Sequence, residues 1–383
     1  MLANWSYPTN IRFGAGRIAE LPDACRTAGI SHPLLVTDRG LARLPVTRTA
    51  LDVLEDAGLG RSVYSDVDPN PSDVNLAAGL AKFREGSFDG VVALGGGSGI
   101  DLGKMVAFMS GQTRPIWDFE DIGDWWMRAN ADAIAPIVAV PTTAGTGSEV
   151  GRASVITNSE TRTKKIIFHP RVLPSVVISD PELTAGMPPS ITAGTGMDAF
   201  AHCLEAYCSP NYHPMSQGIA LEGMRLVRNW LGAAYREGDN PEARAHMMSA
   251  ASMGAVAFQK GLGAIHALSH PVGALFNTHH GTTNAVVMPP VLEFNREAIT
   301  GRIEAASAYL GIEGGFEGFC EFVIELRSEL NIPANLTELG ADPAKSEEMA
   351  RMAIEDPSAG GNPVALDYDN TLDLYRECFR FPR

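Results

Sequence analysis

A chain of 383 residues is long enough for two domains, each with its own core. Its 45% hydrophobic and 20% charged residues are those of an ordinary globular protein. Its net charge of -15 argues against nucleic acid or an anionic membrane surface as a partner.

No apolar run approaches the roughly 20 residues of a membrane span, and the opening M-L-A-N-W-S-Y-P-T-N lacks the basic and apolar regions of a leader. The cysteines Cys25, Cys203, Cys208, Cys320 and Cys378 are scattered and include no C-x-x-C pair. Neither a disulfide framework nor a thiolate metal site is expected, and the expected location is the reducing cytoplasm.

In chain order, an edge strand is expected at 11–13, then strands at 33–37 (P-L-L-V-T), 61–65, 90–94 (G-V-V-A-L), 136–140 (P-I-V-A-V) and 175–179 (S-V-V-I-S). Amphipathic helical stretches fall near 16–28, 47–58, 72–86 and 99–110. Short apolar runs alternating with helices imply βαβ units and a buried parallel sheet. After Asp180-Pro181 the strand-like runs largely vanish, and helical periodicity is expected near 190–208, 212–235, 241–258, 264–276, 296–310 and 315–329. The segment D-P-S-A-G-G-N at 356–362 reads as a loop. The fold class is therefore an α/β, Rossmann-like domain over 1–182 followed by an all-helical domain over 183–383.

Asp38 closes the strand L-L-V-T-D, where an acidic residue can bond the ribose hydroxyls of a dinucleotide; a loop or cap Asp is the alternative. The run Gly95-Gly96-Gly97-Ser98-Gly99-Ile100-Asp101 joins a strand to a helix, so its backbone amides can approach a phosphate at a helix N-terminus. Its spacing is not G-x-G-x-x-G, and the plain alternative is a strand-to-helix turn. A second loop, Pro141-Thr142-Thr143-Ala144-Gly145-Thr146-Gly147-Ser148-Glu149, also leaves a strand end. Two such loops favour one nucleotide site over two coincidences.

In G-T-G-M-Asp198-A-F-A-His202 a carboxylate and an imidazole lie at i and i+4, on one helix face. Four of the nine histidines then fall together as His266, His270, His279 and His280. An Asp with three His suits a divalent ion of Fe²⁺ or Zn²⁺ type. The alternatives are a buried Asp–His ion pair and hydrogen-bonded core histidines.

Taken together, the strings G-G-G-S-G-I-D-L-G-K, P-T-T-A-G-T-G-S-E-V, G-T-G-M-D-A-F-A-H and H-A-L-S-H-P-V-G-A-L-F-N-T-H-H-G resemble the iron-containing (group III) alcohol dehydrogenases up to about residue 295. The resemblance implies metal ligation by Asp198, His202, His266 and His280. Asp198 and His266 would then share the catalytic chemistry with His270, which would stand beside the nicotinamide. It implies phosphate contacts from Gly96, Gly97, Ser98 and Asp101 with Thr142, Thr143 and Thr146, and contacts to the rest of the nucleotide from Asp38, Asn70 and Lys164. It further implies a small alcohol or aldehyde as substrate, Fe²⁺ as the usual ion with Zn²⁺ as an alternative, a site in the cleft between the domains, and a homodimer or larger assembly. NAD is expected over NADP because Asp38 would repel a 2′-phosphate. The segment Gly151-Arg152-Ala153-Ser154 departs from the family pattern, and that bears on pocket shape.

Two rival functions are a lyase of dehydroquinate-synthase type on the same architecture, and a catalytically dead NAD- and metal-binding protein. Net nicotinamide reduction with simple alcohols separates the first from a dehydrogenase. Tight NAD binding without turnover would mark the second.

Overall fold

The computed structural model describes residues 7, 9–161 and 163–382; residues 1–6 and 8, part of the stretch read as lacking a leader, lie outside the described residues. The chain forms two compact units, one of Tyr7–Thr143 with Gly147–Ala185, the other containing Gly186–Arg383 with Ala144–Thr146.

The first unit runs β1 (Asn10–Phe13), α1 (Leu21–Thr27), β2 (Pro33–Val36), α2 (Pro45–Asp56), β3 (Val63–Tyr64), α3 (Asp73–Glu85), β4 (Gly90–Gly95), α4 (Gly97–Met109), β5 (Ile137–Pro141), β6 (Ala153–Asn158), β7 (Thr163–Phe168) and β8 (Val176–Ser179). Six strands pair in the order β1-β8-β5-β4-β2-β3, all parallel. Parallel neighbours need crossovers: helices supply those from β1 to β5, and the β6–β7 segment supplies the one from β5 to β8. Leu34, Val36, Val91 and Ala93 pack into one core, while Leu35, Val92 and Leu94 pack into another. That two-sided burial is why these strands read as continuous apolar runs rather than alternating ones.

Two features depart from expectation. The strand expected at 61–65 shrinks to Val63–Tyr64, paired only with β2 at the sheet edge. An antiparallel hairpin of β6 and β7 was not anticipated. Its first strand, A-S-V-I-T-N, alternates half-buried and buried positions, but Ser154 and Asn158 stand on the buried side with Ile156, so the sequence shows no polar–apolar alternation.

The second unit is helical: α5 (Pro189–Cys208), α6 (Pro214–Arg236), α7 (Pro241–Ala257), α8 (Ala264–Phe276), α9 (His280–Leu310), α10 (Gly315–Glu329), α11 (Ser346–Ile354) and α12 (Tyr368–Arg380). In α5 every residue from Thr192 to Cys208 is buried, so this helix runs through the middle of the unit. Helix α9 starts at His280, not near 296, and carries Pro289 and Pro290 inside it. Those prolines and the histidine cluster before them hid its first turns. The segment 356–362, expected as a loop, holds a short 3-10 turn over Pro357–Gly361. Among the described residues no helix is long and apolar enough to cross a membrane.

Candidate metal centre and nucleotide loops

Three helices of the second unit each present polar side chains at helical spacing. Helix α5 offers Asp198, His202 and Glu205 at i, i+4 and i+7; α8 offers His266 and His270; α9 offers His280 and Asn284. Their meeting point is Asp198 Oδ1. It lies 3.8 Å from His202 Nε2, 3.7 Å from His266 Nε2 and 3.5 Å from His280 Nε2. Two ligands bound about 2.1 Å from a tetrahedral ion stand about 3.4 Å apart, so each histidine is near ligand spacing from Asp198, while His280 stands outside the mutually close group that the other three form. Ligand atoms of Asp198, His202 and His266 all fall within 4.8 Å of one another. The His202 and His266 rings stack with centroids 4.7 Å apart.

The electrostatics suit the same reading. Burial alone would push the Asp198 carboxyl up, but His202, His280 and His266 hold it far below its ordinary range. Burial lowers His202 to about 4, which keeps the ring neutral and able to ligate. His266 is pushed the other way, to about 10: burial opposes its charge, but Glu205 and Asp198 outweigh it. Two buried carboxylates thus hold a proton on His266, and a divalent cation would replace it. The donor set fits a metal.

Glu205 was not anticipated. Its Oε2 lies 2.5 Å from His266 Nδ1, and its Oε1 accepts from the Ile265 amide at 2.6 Å. It turns His266 Nε2 toward Asp198 and satisfies an amide in the first turn of α8. A carboxylate seven residues after Asp198 on an otherwise apolar helix was the available signal. We expect Glu205→Gln to weaken metal binding roughly 10- to 100-fold, read by chelator competition. Unchanged affinity would leave Glu205 a helix cap only.

Asn284 was also missed. Its Nδ2 donates to Asp198 Oδ1 at 2.8 Å and lies 3.3–3.4 Å from His280 Nε2 and His266 Nε2. His279 and His280 are separated by geometry: His280 faces Asp198, whereas His279 caps α9 by accepting from the Thr282 amide.

His270 stacks on His280 with centroids 5.1 Å apart, and its Nδ1 lies 2.7 Å from Asp356 Oδ2. The segment beyond residue 295, outside the family resemblance, therefore reaches this cluster. Asn362 Oδ1 accepts from the Ala264 amide at 3.0 Å, and Tyr375 donates to the Leu268 carbonyl at 2.7 Å. Three contacts brace α8 from the chain's end.

In the first unit, Gly95 ends β4 with φ +150°, a conformation that favours glycine, and turns the chain into α4. Helix α4 has no side-chain cap at Gly96, so the first-turn amides at Gly97 and Ser98 are not claimed by one. Gly96 lies against Thr143, and the Thr142 amide donates to Gly95, so the two loops meet. Ser98 Oγ donates to the Pro69 carbonyl at 2.5 Å, next to Asn70. Lys164 lies on β7, paired with Thr157, and Thr146 belongs to the second unit with Ala144 and Gly145.

Asp101 has a structural role beside the expected phosphate contact. Its Oδ1 accepts from Ser148 Oγ and its Oδ2 from the Val155 amide at 2.9 Å. An ionised carboxylate only accepts, and this one ties α4 to β6. Nearby, the buried Lys104 donates to Ser148 Oγ at 2.9 Å and to the Ala153 carbonyl.

Asp38 Oδ1 accepts from the amides of Gly40 and Leu41 at 2.8 and 2.9 Å. Arg39 turns to Asp66 and Asp68, bonding Asp66 Oδ1 through Nε at 2.6 Å and Asp68 Oδ1 through Nη1 at 2.7 Å. Arg152 stands 5.3 Å over the Phe168 ring and eases the charge of Asp121, whose carboxyl burial pushes up.

The iron-containing alcohol dehydrogenase model matches residues 8–181, and the C-terminal model of the Fe-containing alcohol dehydrogenase family matches residues 192–379. A 4-hydroxybutyrate dehydrogenase from Cupriavidus necator is 38% identical over 382 residues, covering 96% of this chain and 98% of that protein. The chain belongs to the iron-containing alcohol dehydrogenase family. Among solved structures, a 1,3-propanediol oxidoreductase superimposes with a TM-score of 0.93 at 34% identity, covering 99% of this chain and 100% of that one. A sulfoacetaldehyde reductase from Bifidobacterium kashiwanohense, solved with NAD+, gives 0.89 at 30% identity, covering 99% of each chain. This member of the family is an oxidoreductase acting on alcohols, and the lyase alternative finds no support among these relatives.

Proposed function

We propose that this protein transfers a hydride between a small primary or secondary alcohol and NAD, with Asp198, His202, His266 and His280 holding a divalent metal. The observation that carries the reading is the buried carboxylate oxygen facing three imidazole nitrogens at 3.5–3.8 Å. The ion, Fe²⁺ with Zn²⁺ as the rival, would supply Lewis-acid activation of the substrate oxygen, while the nicotinamide carries the hydride. Helix α5 fixes two ligands on one face, and Glu205 orients a third. Asn284 bonds the carboxylate, and His270 extends the row of rings beyond His280.

The glycine turn before α4, the Thr142-Thr143 loop, Asn70, Thr146 and Lys164 are the proposed nucleotide contacts. The domain division proposed is a nucleotide-binding domain to about 182 and a metal-binding domain beyond it. We also propose work in the cytoplasm, consistent with five unpaired cysteines, and assembly as a homodimer or larger through β1, the edge strand of the sheet among the described residues. The test is a panel of diols, ω-hydroxy acids, short alcohols and their aldehydes, read by nicotinamide absorbance with metal-loaded protein. No turnover across the panel would sink the reading.

The NAD preference has a physical basis. Asp38 would repel a 2′-phosphate, and Arg39 is already committed to Asp66 and Asp68, so it is not poised to clamp one. Asp38→Asn keeps the oxygen that accepts from Gly40 and Leu41 but removes the charge. It should shift the NADP-to-NAD ratio of kcat/KM toward NADP by about tenfold or more, roughly 1.4 kcal/mol. A wild type indifferent to the phosphate, or an unmoved ratio, would show that Asp38 is not the discriminator.

A further inference from the structure

The pair His270–Asp356 joins residues 86 positions apart, and the carboxylate comes from beyond residue 295, outside the stretch that carries the family resemblance. Asp356 Oδ2 lies 2.7 Å from His270 Nδ1, with side chains 12% and 19% exposed. The other oxygen, Oδ1, accepts from the Ser358 amide at 2.8 Å, so the short turn after Asp356 aims the carboxylate. An ionised carboxylate only accepts, so Nδ1 must carry the hydrogen. Stacking on His280 at 14° between ring planes, with His266 edge-on at a centroid distance of 5.9 Å, leaves the imidazole little room to turn over. Among the described residues Nε2 has no hydrogen-bond partner.

We propose that Asp356 is the positioning residue of His270: it fixes the Nδ1–H tautomer, so that Nε2 stands as a hydrogen-bond acceptor for the hydroxyl of the alcohol. This rests on the proposed reading that His270 faces the reaction. The contact needs no change of protonation; it decides which ring nitrogen presents a lone pair. Asn362 and Tyr375 keep the same terminal segment seated on α8, so the carboxylate approaches from a braced position.

The test uses the full-length protein loaded with zinc, which is diamagnetic, and labelled with ¹⁵N-histidine. Long-range ¹H–¹⁵N spectra, with His270 assigned by His270→Ala, should find hydrogen on Nδ1 in the wild type and a mixed or reversed tautomer in Asp356→Asn. In kinetics, Asp356→Asn should lower kcat roughly 100-fold or more with little change in KM for NAD, and Asp356→Glu should recover part of the loss. In a His270→Ala background the Asp356→Asn change should cost nothing further. Hydrogen on Nε2 in the wild type would overturn the proposal. So would losses from His270→Ala and Asp356→Asn that multiply, since that would make Asp356 a brace for α8 alone. The tautomer spectra decide the matter even if no alcohol on the panel is turned over, which separates this proposal from the proposed activity.

Discussion

His266→Ala is expected to empty the metal centre and, with it, to lower alcohol turnover roughly a thousandfold or more, the equivalent of several kcal/mol of transition-state stabilisation. The imidazole is the partner of both buried carboxylates: Nε2 is 3.7 Å from Asp198 and Nδ1 is 2.5 Å from Glu205. Removing it leaves a three-membered ligand set and an unpaired Glu205. Alanine is small and helix-favouring, so α8 should persist. Metal analysis by mass spectrometry, beside circular dichroism, reads both halves of the expectation. Full metal occupancy in the variant would defeat the ligand assignment. His279 and His280 supply the internal control. His280→Ala should lose metal, while His279→Ala should lose only a helix cap, worth about 1 kcal/mol. The reverse pattern would mean that the register of the pair is wrong by one.

Gly281→Ala should damage the helical unit at the metal centre itself. A Cβ at Gly281 would stand 2.0 Å from the Gly194 carbonyl oxygen and 2.8 Å from Asp198 Cβ. Neither can swing aside as the end of a flexible side chain could, so α9 must move off α5 where His280 faces Asp198. Overpacking of a tight contact costs about 3 kcal/mol. For a unit of this size that is about 6–12 °C in Tm, and the shift should carry His280 out of ligand range. Gly218→Ala is the matched control: it lies within α6 with nothing within 4 Å of its added carbon. There the change should be neutral or stabilising by up to about 1 kcal/mol. Calorimetry and metal content together make the comparison. A Gly281→Ala protein that melts with the wild type and binds metal fully would refute the close approach.

Much of this molecule is legible along the chain because the signals are local. The strands at 33–37, 90–94, 136–140 and 175–179 are apolar runs bounded by turns, and they are buried because the sheet is covered on both faces. The helices near 190–208, 264–276 and 315–329 follow from 3.6-residue periodicity, and Asp198 with His202 follows from i, i+4 spacing. The ordered glycine, threonine and histidine strings carry the family, which the comparisons bear out.

The tertiary structure decided what depends on partners distant in sequence. Which of two adjacent histidines turns toward Asp198 is set by where α9 begins against α5, and not by their identity. Asp101 reads only as a phosphate contact, and its tie to Ser148 and the Val155 amide of β6 is invisible along the chain. Glu205 reads as one more helical residue until α8 brings His266 and the Ile265 amide to it, and Asp356 reads as a loop aspartate until packing delivers it to His270. Periodicity over one or two turns determines which face a side chain occupies. Only the packing of whole helices determines what that face meets, because the partner's position is a property of the assembled core and is written in no single window of sequence.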